Sequence, residues 1–142
     1  MDEIDYEIIR ELQKNGRISV KKLADIVSLT PPAVSDRIRK LEKEGVILGY
    51  KAVINPKKLG MNIKAIINVV LKNGKQEEFL NFAIKNKCIV ECNHVTGRFS
   101  MTVEVILKDM HELEETVSKI QKYGSTQTLV VLSSLIENKS FI

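Results

Sequence analysis

The stretch from Ser28 to Gly45 constrains this chain more than any other. It reads as one helix with punctuation at both ends. Thr30 is the expected N-cap, its hydroxyl accepting an orphan N–H of the first turn. Pro31 falls at the first helical position, where no hydrogen-bond donor is lost. Gly45 stops the helix, because glycine takes the left-handed conformation at low cost. Val34, Ile38 and Leu41 recur at i, i+4 and i+7 and predict one apolar stripe. The other face carries Pro32, Ser35, Asp36, Arg39 and Lys43, flanked by Ala33, Arg37 and Lys40. Small residues stand at its N-terminal end and cations further along. That order suits a helix in a major groove: its first residues approach base edges and its cations reach phosphates. A solvated basic face on an ordinary core helix has the same composition, so the flanking sequence decides.

The residues before it form two more helices. Ile4, Ile8, Ile9 and Leu12 recur at helical spacing from Glu3 to Lys14, with Asp2, Glu3 and Asp5 at the positive end of the helix dipole. Asn15-Gly16 ends that helix. Ser19 caps a short helix from Val20 to Val27, and Ser28-Leu29 turns into the Thr30 helix. Two short helices, a brief turn and a basic second helix make a helix-turn-helix. Residues 46–54 are β-branched and aromatic around Gly49, which predicts a strand pair or a bent strand and hence a β-wing. The turn-rich residues 55–62 read as a linker between domains 1–54 and 63–142.

Charge supports this division. The chain of 142 residues has a net charge of only +4, but residues 37–58 hold seven Lys/Arg against two Asp/Glu, net +5. Concentrated positive charge on and after the basic helix is the electrostatic footprint of a nucleic-acid surface.

The second half follows another pattern. A strand is expected over 63–71, then a helix over 76–86 with Phe79, Leu80, Ala83 and Ile84 inward. A strand over 88–96 and a turn at Thr96-Gly97-Arg98 follow. The strand over 99–107 alternates most clearly, with Phe99, Met101, Val103, Val105 and Leu107 on one face. Asp109 caps a helix carrying Met110, Leu113, Val117 and Ile120, and a last strand runs over 125–136. The fold class is therefore α+β: an N-terminal winged helix-turn-helix, then a βαββαβ ferredoxin-like sandwich. The sheet face without helices, together with Ser133 to Ile136, is expected to self-associate.

Several chemistries are not expected. No apolar run reaches the ~18 residues of a membrane span. The acidic start is no signal peptide, and two cysteines without such a signal place the chain in a reducing cytoplasm. Cys88 and Cys92 on one strand would stand roughly 13 Å apart, too far to share a metal ion or a disulfide. No metal or cofactor site is read, and neither a phosphate-binding glycine loop nor a nucleophile elbow occurs.

The chain resembles the leucine-responsive/asparagine regulator family (Lrp/AsnC) of transcription factors. The resemblance covers essentially the whole chain. It rests on Leu29 to Ile47, on Ile4-Asp5-Tyr6-Glu7-Ile8-Ile9-Arg10-Glu11-Leu12 with Asn15-Gly16-Arg17, and on Ile54-Asn55-Pro56-Lys57-Lys58-Leu59-Gly60. It implies a cytoplasmic regulator that is not an enzyme and binds double-stranded DNA. The DNA-binding residues would be Arg17, Thr30, Pro32, Ala33, Ser35, Asp36, Arg37, Arg39, Lys40 and Lys43. It also implies a homodimer assembling to a tetramer or octamer, and an amino acid or other small metabolite as effector. The family's effector loop reads Gly-Asp-Tyr-Asp; here it reads Gly97-Arg98-Phe99-Ser100, so both carboxylates are gone. Thr126 and Thr128 match positions near the family's pocket. Three alternatives stay open. One is an enzyme resembling the tetrapyrrole-decarboxylating two-domain type, for which His94 would matter. The others are an effector-independent DNA-architectural protein and an interaction module without DNA binding.

Overall fold

Caps set the helix boundaries of the N-terminal unit. The computed structural model describes all residues 1–142. Helix α1 (Glu3–Lys14) is capped reciprocally: the Asp5 N–H donates to the Asp2 carboxylate and the Asp2 N–H to the Asp5 carboxylate. Helix α2 (Val20–Val27) is capped by Ser19, whose hydroxyl accepts from Lys22 N–H. Ser28 ends α2 in the left-handed conformation with φ 53°. Helix α3 (Pro31–Lys43) follows. Thr30 is its N-cap but makes no side-chain capping bond, a correction to the sequence expectation. Pro31 already removes one first-turn donor, so less capping is needed. At the other end Gly45 N–H reaches Glu42 O and Val46 N–H reaches Leu41 O, with Gly45 at φ 71°. That double bond is a Schellman termination, and it needs the left-handed glycine.

The three helices close around Ile8, Ile9, Leu23, Ala24, Val34 and Leu41, with Ile38 half-buried against them. No strand forms over residues 46–54, so the expected β-wing is absent from the single subunit. The stretch has no neighbouring strand to bond with. Tyr50 OH ties it back to Glu42 at 3.0 Å, while Leu48 is 93% exposed.

The chain divides into two units: Met1–Val53 with Ile136–Ile142, and Ile54–Leu135. Residues 136–142 lie with the helical unit, where Ser140 Oγ donates to Gln13 Oε1.

The C-terminal unit is built as expected, in the order β1 (Ile63–Leu71), α4 (Gln76–Lys85), β2 (Ile89–His94), β3 (Met101–Leu107), α5 (Met110–Ile120) and β4 (Gly124–Val130). The four strands form one antiparallel sheet in the order β2-β3-β1-β4. Alternation puts Ala65, Ile67, Val69, Met101, Val103, Val105 and Leu107 into the core under the helices. Strand β4 ends at Val130, opposite Ala65, and Val131 N–H still bonds Lys64 O at 2.9 Å; β1 starts at Ile63, so the rest of the expected extension to Ile136 runs past its end.

Two details differ from expectation. On α4, Leu80 is 47% and Ile84 73% exposed. The inward set is Phe79, Phe82 and Ala83, because Phe79 and Phe82 stack with Tyr123 at centroid distances of 5.7 and 5.3 Å. Met110 points outward on α5, and Thr116 is buried in its place. The helix-free sheet face is mixed rather than apolar. Ile66, Val70 and Ile106 share it with Asn68, Thr102 and the Lys64–Glu104 pair at 3.2 Å.

Candidate nucleic-acid interface and effector loop

Helix α3 presents the expected face. Val34 and Leu41 are fully buried, which points Pro32, Asp36, Arg39 and Lys43 outward and leaves Ser35 half-buried at the margin. Thr30 and Arg17 are exposed, and Ala33 is half-buried. Asp36 accepts from Arg39 Nη1 at 3.0 Å, one turn apart on the surface. With both side chains more than 70% exposed, the pair adds little stability. It does orient the Arg39 guanidinium along the outer face. Lys40 pairs with Glu44 only at 3.9 Å.

Arg37 differs from the other cations. Its Nη1 lies 2.8 Å from Asp2 Oδ2 and 2.7 Å from Asp5 Oδ1. Asp5 is buried, and no buried side-chain nitrogen or oxygen lacks a hydrogen-bond partner. The Asp5 N–H and the Arg37 guanidinium hold the Asp2 carboxyl below its ordinary range, and the two carboxylates raise Arg37 above its own. Sequence reasoning placed Arg37 on a phosphate. Its partners lie 35 and 32 residues away in the chain, and no local spacing announces them.

In the C-terminal unit, residues 97–100 form the tight end of the β2–β3 hairpin. Gly97 has φ 103°, a conformation glycine adopts freely. Arg98 lies over the Phe99 ring at 5.6 Å, a cation–π arrangement. Ser100 is structural as well as polar. Its Oγ accepts from Leu71 N–H at 2.8 Å, and its N–H donates to Val69 O at 2.9 Å. These bonds fasten the loop to the end of β1, where Leu71 pairs with Gly124 and Val69 with Thr126. The loop and Thr126 therefore gather at one end of the sheet. Thr128, opposite Ile67, lies further along it. Thr126 Oγ1 accepts from Gln121 Nε2 at 3.1 Å.

Sequence reasoning missed Gly124. A Cβ there would lie 2.1 Å from Val70 O and 2.8 Å from Val70 C. The position admits only hydrogen, and its one sequence signal was a glycine after an aromatic. A groove of about 600 Å³ between α4 and α5, floored by Phe82 and Tyr123 and rimmed by Lys85 and Lys119, contains none of the expected effector residues. Cys88 donates to Glu112 Oε1 at 3.3 Å and Cys92 is half-buried; burial pushes both thiols up. His94 is exposed on β2, and His111 faces Glu115 at 3.6 Å in the open. No helix is long and apolar enough to cross a membrane.

Residues 1–47 match the winged helix-turn-helix DNA-binding family, and residues 64–141 match the Lrp/AsnC ligand binding domain. The uncharacterized HTH-type transcriptional regulator YezC of Bacillus subtilis is 37% identical over 134 residues, covering 94% of this chain and 95% of the relative. The structure of Bacillus subtilis LrpC superposes with a TM-score of 0.92 at 31% identity, covering 98% of this chain and 99% of that one. The Neisseria meningitidis transcriptional regulator NMB0573, solved as a complex with L-Met, gives a TM-score of 0.91 at 25% identity, covering 96% and 93%.

Proposed function

Because the chain belongs to the Lrp/AsnC family of DNA-binding transcription regulators and is not an enzyme, we propose that it reads operator DNA through the outer face of α3. Pro32, Ser35, Asp36 and Arg39 approach base edges, with Thr30 and Ala33 beside them. Lys40, Lys43 and Arg17 take phosphates. The observation that carries this reading is the geometry of α3: its buried stripe turns Asp36, Arg39 and Lys43 to solvent together. Asp36 accepts from a cytosine amino group or steers Arg39 toward a guanine, two contacts that discriminate bases.

The working particle is a homo-oligomer in the cytoplasm, a dimer assembling to a tetramer or octamer. A single helix-turn-helix reads too few bases, and two-fold pairing sets two recognition helices about 34–36 Å apart. Leu48, Val53, Leu132, Leu135 and Ile136 are exposed in the single chain, apolar side chains that a second copy would cover.

The effector is an amino acid or another small carboxylate at the 97–100 loop. L-Met is bound by the Neisseria relative. The loop here offers Arg98 and backbone rather than carboxylates, so the ligand's carboxylate is the better recognised end.

Selection of duplexes from a random pool by the full-length protein, with and without each amino acid, tests all three parts. Enrichment of a pseudo-palindrome, changed by at least one amino acid, is expected, with light scattering reporting a species above the monomer. A pool that stays random, or a monomer, would overturn the reading.

A further inference from the structure

We propose that Arg37 is a positioning residue for DNA recognition: it sets the roll of α3 by plugging into an anionic socket made by the N-terminal cap of α1. This deepens the reading of α3 as the DNA-facing helix and rests on it. At about 100° per residue, Arg37 lies roughly 120° around α3 from Lys43, at the edge of the buried stripe rather than on the outer face. Its guanidinium is already engaged by two carboxylates, Asp2 and Asp5.

The carboxylates are themselves fixed. Asp2 Oδ1 accepts the Asp5 N–H at 2.9 Å, and Asp5 Oδ2 accepts the Asp2 N–H at 3.0 Å. The remaining oxygens, Asp2 Oδ2 and Asp5 Oδ1, face Arg37 Nη1. One pair of side chains thus caps α1 and holds α3. Asp5 is only 5% exposed. Moving Arg37 to a phosphate would strip that buried carboxylate of its cation, a heavily disfavoured exchange. Arg37 therefore stays in the socket when DNA binds, and the outer face keeps its angle to the groove.

The test measures affinity of the full chain for its selected duplex and for a scrambled duplex across salt concentrations. Arg37→Gln should lower the ratio of the two affinities about tenfold and leave the salt slope unchanged, because no phosphate contact is lost. Asp5→Asn, in a residue off the DNA face, should produce the same loss, and the double variant should be no worse than either single one. Arg37→Lys should restore the ratio, since one nitrogen makes all the contacts. A salt slope smaller by about one in Arg37→Gln, with the ratio unchanged, would make Arg37 a phosphate contact and overturn the proposal. If Arg37→Gln fails to fold by circular dichroism, the other two single variants decide. A low ratio in Asp5→Asn beside a normal one in Arg37→Lys supports the socket; a lost ratio in Arg37→Lys refutes it. Arg39→Ala and Lys43→Ala are run alongside. Unchanged binding in both would remove the face assignment and the proposal together, whereas their expected losses beside a phosphate-type Arg37→Gln remove the proposal alone.

Discussion

Gly124→Ala should unfold the C-terminal unit more easily than any other single methyl addition in it. The added Cβ would sit 2.1 Å from Val70 O and 2.9 Å from Leu71 Cα, so the obstacle is backbone of the neighbouring strand. A side chain could rotate away, but a paired strand cannot. Relief requires the start of β4 to leave β1, which costs the Leu71–Gly124 pairing and the Lys72 N–H bond to Tyr123 O at 2.9 Å. Overpacking against movable side chains costs about 1–3 kcal/mol, and an immovable neighbour puts this case near 3. For a unit of this size, each kcal/mol lowers Tm by about 4–8 °C, so the expected drop is about 12–24 °C. Near-UV circular dichroism of the Phe79, Phe82 and Tyr123 cluster reports the transition. Ser125→Ala, an exposed neighbour, serves as control and should stay within about 0.5 kcal/mol of the parent. A Gly124→Ala protein that melts with the parent would refute the close approach of β4 to Val70.

Arg39→Ala should cost about 1–3 kcal/mol at the preferred duplex and relax its sequence preference in a gel-shift or anisotropy titration, while Lys43→Ala should weaken all duplexes about equally and lower the salt slope by about one. Ile38 is half-buried against the helical core, so Ile38→Ala should destabilise the N-terminal unit by about 2 kcal/mol; a fully stable variant that fails on DNA would instead put Ile38 on the DNA face. The Asp2 carboxyl is held below its ordinary 3.8, first by the Asp5 N–H and then by Arg37. A lowered folded-state value adds stability above the unfolded value and loses it as pH falls through the folded one. Urea midpoints measured down an acid series should therefore show a loss below about pH 4 that shrinks in Asp2→Asn, and an unchanged acid limb would count against the Arg37 socket.

Local punctuation was legible, and partners distant in the chain were not. The start of α2 follows from Ser19, within hydrogen-bond reach of the turn it caps, and the span of α1 from its apolar spacing and Asn15-Gly16. The strands of β3 and β1 follow from period-two alternation. Asp5 was read as a dipole complement and is a buried half of an ion pair, because its partner Arg37 is 32 residues on. On α4, five apolar residues allow two inward faces, and the Tyr123 ring, outside the helix, selects the one with Phe82. The β-wing failed for a related reason. Residues 46–54 have strand composition, but composition alone makes no ladder, and no strand pairs with them here. At the effector loop, the glycine turn could be read directly, whereas the anchoring of Ser100 to β1 depends on a register formed across 29 residues.

The tail from Ile136 to Ile142 gives the N-terminal unit an unusual folding order. Contacts among α1, α2 and α3 are close in sequence and need little loop closure, so such a unit collapses early. The Ser140–Gln13 bond joins residues 127 apart. On a ribosome the three helices can pack while the sandwich has not yet been made, and the tail can only arrive after the last strand has left the exit tunnel. The unit that emerges first is therefore completed only after the segment that builds the sandwich has been made.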